Sequence, residues 1–259
     1  MTPQTCKAIL NNIKQIHEKG EFIMDYPMLQ PWIEYKTDQY SFEIKEDICR
    51  ITAYGFYQAD KILFVPDGCE ELIMSWGFGG KYYARPDKTA RTWLEPPAKC
   101  TGLCGIRLEP GFTVNMNGDE AEEISSRLAS VKSQSEARGM LLGATLPFIE
   151  KKYSAPVWED MTGMVYETRG RCAVAELAAK FGYTARHVGN LFREGAGCPP
   201  KTFCRFVRFH NALREMIRCH ERENSQFIES LSYADQAHFQ REFKEFTGMT
   251  PRRFAKEIL

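Results

Sequence analysis

The stretch from Ala173 to Phe254 constrains this chain most, because it reads as one helix–turn–helix pattern written twice. In the first copy Val174, Leu177, Ala178 and Phe181 fall at helical spacing, and Gly182 supplies a sharp turn that a side chain would obstruct. Thr184 follows as an N-cap for a second helix running to Glu194, with Val188, Leu191 and Phe192 inward. Arg186, Gly189, Asn190 and Arg193 fall on its other face. In the second copy Phe227, Ile228 and Leu231 make a short apolar helix, and Ser232-Tyr233-Ala234 makes the turn. Asp235–Phe246 then buries Phe239, Phe243 and Phe246, which leaves Gln236, Ala237, Gln240 and Arg241 together on the opposite face. Each copy ends in Gly then Pro, a helix stop signal: Gly195 or Gly197 with Pro200, and Gly248 with Pro251. An internal duplication explains the recurrence.

Between the copies, Lys201–Cys219 contains no breaker, and Phe203, Phe206, Val207, His210, Leu213 and Ile217 recur at helical spacing. A helix of about nineteen residues is roughly 28 Å long. One turn of duplex DNA is about 34 Å, so a strut of this length could set two helices in successive major grooves.

These residues resemble the AraC/XylS transcription regulators. The resemblance rests on Leu177-Ala-Ala-Lys-Phe-Gly-Tyr183, on the Leu191-Phe-Arg193 and Pro199-Pro200 pieces, and above all on the run from Ser232 to Pro251. It implies that the second helix of each copy enters a major groove of promoter DNA. Carried over by position, the base readers would be Arg186 and Asn190 in the first copy and Gln236, Gln240 and Arg241 in the second. Thr184, Arg193, Lys201, Arg205, Lys244, Arg252 and Arg253 would then touch phosphates and supply salt-dependent affinity. Two positions depart from the family pattern. Gly189 stands where a polar reader is common, and costs about 1 kcal/mol of helix stability relative to Ala. Ser232 replaces the usual turn glycine.

Charge is distributed to match. From Met161 onward there are 16 Lys and Arg against 11 Asp and Glu, and 12 of those 16 are Arg. Since the whole chain has 34 of each sign, the preceding part carries 18 basic against 23 acidic residues and is no nucleic-acid surface on this ground.

From Trp32 to Asn117 the texture changes to short apolar runs. Ile62–Val65 and Leu72–Trp76 flank the turn signal Pro66-Asp67-Gly68, and further runs lie at Lys81–Ala84, Arg91–Leu94, Leu103–Leu108 and Phe112–Met116. Short strands so spaced argue an antiparallel sandwich or barrel. The pieces Phe64–Cys69 and Gly105–Gly111 resemble the cupin-like sensor domains fused ahead of AraC-type modules. Asp119–Tyr153 turns helical, with Asp119 able to cap the first helix, and helices so placed could pack the core or dimerise. An amphipathic helix is also expected over residues 3–19, with Ser154-Ala-Pro156 as a linker and Val157–Arg171 as the first helix of the DNA module. The expected fold class is therefore α+β. An N-terminal β-rich, cupin-like barrel with flanking helices occupies residues 1–153, and an all-α double helix–turn–helix module occupies 154–259.

The β-rich part holds Tyr54, Phe56, Trp76, Tyr83 and Trp93 with Asp67 and Arg107, the materials of a small-molecule pocket and equally of a barrel core. It contains no histidine between Trp32 and Asn117, which argues against a metal-dependent cupin enzyme, and no nucleophile elbow or phosphate loop appears. Cys100 and Cys104 lack the further ligands that structural zinc needs, so neither metal nor cofactor is expected. Nine scattered cysteines, a polar Met1–Gly20 and the lack of a long apolar run suit a cytoplasmic chain with free thiols and no membrane span. The expected partners are double-stranded promoter DNA, a small-molecule effector, RNA polymerase if the protein activates, and a second copy of the chain. The alternative is a regulator that responds to oxidation or alkylation of a cysteine.

Overall fold

The computed structural model describes residues 38–44, 49–57, 61–79, 81–97, 100–152, 157–219 and 233–257. The expected helix over residues 3–19, the linker 154–156 and the apolar helix and turn over 227–232 lie outside them.

Eight strands come first: β1 (Asp38–Ile44), β2 (Cys49–Tyr57), β3 (Ile62–Phe64), β4 (Glu70–Trp76), β5 (Tyr83–Ala84), β6 (Thr92–Leu94), β7 (Gly102–Leu108) and β8 (Phe112–Val114). The principal sheet is antiparallel in the order β1-β2-β7-β4-β5, while β3 pairs with β6 in a separate ladder. All of β7 is buried, which removes the clean alternation of a half-exposed strand. Cys104, Ile106 and Leu108 face one apolar cluster, and Leu103 faces another with Tyr54, Ile62, Phe64 and Ile73. Two helices, α1 (Gly118–Leu128) and α2 (Gln134–Thr145), cover the first of these faces through Ile124, Leu128, Leu141 and Leu142. The cap of α1 is Asn117 rather than Asp119. Asn117 accepts from the Glu120 amide at 2.9 Å while Glu120 accepts from the Asn117 amide at 2.7 Å, a reciprocal capping box. A short strand β9 (Ile149–Lys151) then pairs with β8.

The rest of the described chain is helical: α3 (Val157–Glu167), α4 (Val174–Phe181), α5 (Ala185–Ala196), α6 (Pro200–Cys219), α7 (Gln236–Thr247) and α8 (Pro251–Glu257). Phenylalanines 192, 203, 206, 209, 239, 243, 246 and 254 share one core, with edge-to-face pairs such as Phe209–Phe246 at 5.1 Å. That core also takes in Leu63 and Val65 from the β-rich part. The two candidate stop glycines divide the work. Gly197 is the left-handed C-cap of α5 (φ 78°). Gly195 lies inside the helix against Trp158, where a β-carbon would come within 2.5 Å of the indole.

The β-rich and helical parts are bonded to one another. The Trp158 indole donates to the Pro110 carbonyl at 3.0 Å, and the Gly111 amide donates to the Gly195 carbonyl at 2.9 Å. His210 of α6 meets the Pro66 carbonyl at 3.0 Å through Nε2. The turn signal Pro66-Asp67-Gly68 thus lies at this junction, with Gly68 packed against Phe203 and Ala196. The Asp67 and Gly68 amides donate to the Lys88 carbonyl, which places residues 88–91 beside the helical part. Lys88 lies against Gly197 and Arg91 against Gly248, and Arg91 Nη1 donates to the Glu245 carbonyl at 3.3 Å. Two cationic side chains therefore meet the C-terminal ends of α5 and α7, where the helix dipole is negative.

Candidate nucleic-acid interface

The first unit is α4 and α5. Glu176 accepts from the Ala173 amide at 2.8 Å to close the N-terminus of α4, and Gly182 ends it in the left-handed conformation (φ 71°). Tyr183 stacks on His187 with ring centroids 4.6 Å apart. Thr184 caps α5 by accepting from the His187 amide at 3.2 Å. Val188, Leu191 and Phe192 are buried, while Arg186, Asn190 and Arg193 are exposed. Gly189 is buried, although the sequence pattern put it on the solvent face. The Arg193 guanidinium covers it, 3.3 Å from where a β-carbon would stand, and also donates to Asn190 Oδ1 at 3.4 Å.

In the second unit α7 is capped by Asp235, which accepts from the His238 amide at 2.7 Å. Phe239, Phe243 and Phe246 are buried as the spacing requires. Gln236 and Arg241 are exposed and Gln240 is half-buried. Lys201, Lys244, Arg252 and Arg253 are exposed, and Arg253 also pairs with Glu257 one turn on at 2.7 Å.

Arg205 has a structural role that the sequence does not disclose. Its guanidinium bonds Glu242 at 2.8 Å and Glu245 at 2.6 Å, and lies over the Phe246 ring. Arg208 adds a second contact to Glu242 at 3.2 Å, and the Tyr233 hydroxyl donates to the same carboxylate at 2.9 Å. Burial, followed by the Glu242 charge, raises the Tyr233 hydroxyl well above its ordinary pKa, so it stays a donor. Glu242, buried on α7, therefore ties α7 to the strut α6.

In the β-rich part the expected pocket residues whose side chains are described have different surroundings. Tyr54 and Trp76 are fully buried in different clusters, and Asp67 and Arg107 form a buried ion pair at 2.5 Å. Tyr54 donates to Glu71 at 2.7 Å in the same network, and burial raises the Glu71 carboxyl to about 8. Tyr83 and Trp93 are exposed; Phe56 lies on β2, its side chain outside the described residues. A cavity of about 350 Å³ lies elsewhere, between β5 and α1, lined by Lys81, Tyr82, Tyr83, Met116, Ala121 and Ser125 among others. Lys81 and Glu122 form an ion pair at its wall. Of the expected residues whose side chains are described, Tyr83 lines this cavity.

Among the described residues α4 and α5 form one helix pair, the strut α6 joins it to α7, and polar residues are exposed on both α5 and α7, an arrangement suited to a DNA-binding helical module. Residues 177–257 match a family model described as a helix-turn-helix domain. No curated protein matches the chain in sequence. Similar solved structures include ToxT from Vibrio cholerae, at 12% identity and a TM-score of 0.44, covering 81% of this chain and 98% of that one. A second ToxT structure, at 10% identity and a TM-score of 0.42, covers 81% and 98%. A third, with unsaturated fatty acid bound to ToxT, has 12% identity and a TM-score of 0.42 and covers 86% and 92%. Among the described residues no helix is long and apolar enough to cross a membrane.

Proposed function

We propose that this chain is a cytoplasmic, sequence-specific regulator of transcription whose double helix–turn–helix module binds promoter DNA under the control of a small-molecule effector. The observation that carries the reading is the paired arrangement of α5 and α7 on α6, each with apolar residues inward and polar residues exposed. Arg186, Asn190, Gln236, Gln240 and Arg241 supply base contacts. Thr184, Arg193, Lys201, Lys244, Arg252 and Arg253 supply phosphate contacts, while Arg205 acts through Glu242 to hold α7. The sensor occupies residues 1–153 and the DNA module 154–259. The effector binds in the cavity beside Tyr83, and its binding shifts the balance between arrangements of the DNA module. RNA polymerase, for an activator, and a second copy of the chain complete the set of partners.

The test is fluorescence anisotropy of the purified protein on its own upstream DNA, with a scrambled duplex of equal composition titrated beside it at two salt concentrations. Tighter binding to the native sequence at both salts supports specific readout. Equal and steeply salt-dependent binding to both duplexes refutes it, since that is the phosphate contribution alone.

A further inference from the structure

The thiols of Cys172 and Cys204 lie 3.9 Å apart, Sγ to Sγ, in the helical part. Cys172 belongs to the turn between α3 and α4, two residues before the first helix of unit one; Cys204 lies on the first turns of the strut α6. Cys204 Sγ also donates to the Cys172 carbonyl at 3.8 Å. The backbones are in contact beside them. Gly170, at φ 73°, presses on the Cys204 carbonyl so closely that a β-carbon would come within 2.1 Å of that oxygen. Glycine permits this approach, and the approach brings turn and helix within reach of a cross-link.

From this geometry we infer that Cys172 and Cys204 are a peroxide-responsive thiol pair that oxidises to a disulfide and thereby alters the pose of the first helix–turn–helix unit on its strut. The Cys172 thiolate attacks one oxygen of hydrogen peroxide; an S–O bond forms, the O–O bond breaks, and hydroxide leaves to take up a proton as water. The Cys204 sulfur then attacks the sulfenic acid; the S–S bond forms, the S–O bond breaks, and the departing oxygen leaves as water with the Cys204 proton. Two thiols lose two electrons and two protons, and one peroxide becomes two waters.

The chemistry of the two sulfurs is divided as this sequence requires. The hydrogen bond between the two sulfurs lowers Cys172 below the ordinary thiol range against the opposing effect of burial, which favours it as the nucleophile, while the same contact and burial raise Cys204, which keeps its proton until the second step. Burial instead raises Cys100, Cys104 and Cys198, so those thiols stay protonated. Closing the pair from 3.9 Å to a bond of about 2.05 Å moves the turn before α4 toward α6. The first unit then no longer sits on the strut as it does when reduced, and operator affinity falls on the order of tenfold, the worth of one displaced base contact. The affinity change rests on the DNA-binding reading above; the cross-link does not.

The experiment treats the full-length protein with hydrogen peroxide, maps disulfides by mass spectrometry of non-reduced peptides, and measures anisotropy on upstream DNA before oxidation, after it and after re-reduction. A peptide joining Cys172 to Cys204, with weakened and reducible DNA binding, is expected. In Cys204→Ser the sulfenic acid at Cys172 has no partner and is captured by dimedone; in Cys172→Ser neither product forms. Absence of both the cross-link and the dimedone adduct overturns the thiol pair. A cross-link with unchanged affinity overturns its role as a switch. If the reduced protein shows no preference for its own DNA, the functional reading falls, and the cross-linked peptide still decides the thiol chemistry.

Discussion

His210 offers a perturbation whose size can be worked out in advance. It is fully buried on α6 against the Pro66 carbonyl, and burial holds its imidazole near 4 instead of the ordinary 6.5, despite the opposing pull of Asp67. Above pH 6.5 both folded and unfolded histidine are neutral and nothing is lost. As pH falls below 6.5 the unfolded chain takes up a proton that the folded one refuses, so stability declines by about 1.4 kcal/mol per pH unit, close to 2 kcal/mol by pH 5 and about 3 kcal/mol below pH 4. Glu71 acts in the opposite direction. Its folded pKa of about 8 lies above the ordinary 4.5, so its stabilising contribution is present at low pH and is lost as pH rises toward 8. Wild-type stability alone would blur the two. The difference between wild type and His210→Gln removes the Glu71 contribution and isolates the histidine. Urea unfolding followed by tryptophan fluorescence at pH 8, 6.5 and 5 should show that difference moving by about 2 kcal/mol in favour of the variant toward acid. A difference constant across the range would refute the claim that the junction holds a neutral imidazole.

Further outcomes follow from the interface. Arg241→Ala should lose about 1–3 kcal/mol on the native duplex and relax its discrimination against the scrambled one, if the guanidinium grips a base edge; unchanged discrimination in the anisotropy titration would remove Arg241 from the readers. Arg252→Ala should weaken both duplexes alike and flatten the salt dependence, and a loss confined to the native duplex would show that it reads bases. Glu242→Ala leaves Arg205 and Arg208 facing each other without their shared carboxylate; a loss of about 3–5 kcal/mol in urea unfolding is expected, and wild-type stability would show that the cluster contributes nothing. Trp158→Ala should cost about 3–5 kcal/mol, since the indole fills a full core position and its N–H spans the junction; an unchanged unfolding midpoint would contradict this.

The helical part was legible in the sequence because its signals are local. Gly182, Thr184, Gly248 and the phenylalanine spacing of α7 act within one or two turns, and each sits in the structure where its period puts it. Gly189 was misplaced because a long side chain one turn away can fold over a bare backbone, which periodicity does not register. Arg205 reads as a surface cation until Glu242, thirty-seven residues on, is brought beside it. In the β-rich part the strands were legible but their partners were not. Tyr54 looks like a pocket wall in isolation, yet Gly105 and Glu71 close around it and make it core. No sequence signal marks Lys88 and Arg91, because what they touch lies more than a hundred residues away.

The contacts of Lys88 and Arg91 bear on how such a protein can be rebuilt. One way to do so is to exchange the β-rich half for another. Here a graft that kept every strand but altered residues 88–91 would leave the ends of α5 and α7 without the cations that now meet them. Such a graft would keep the contacts of Trp158, Gly111 and His210 across the junction and lose those of Lys88 and Arg91. Compatibility between the two halves is thus written partly in a four-residue loop that no strand or helix boundary marks.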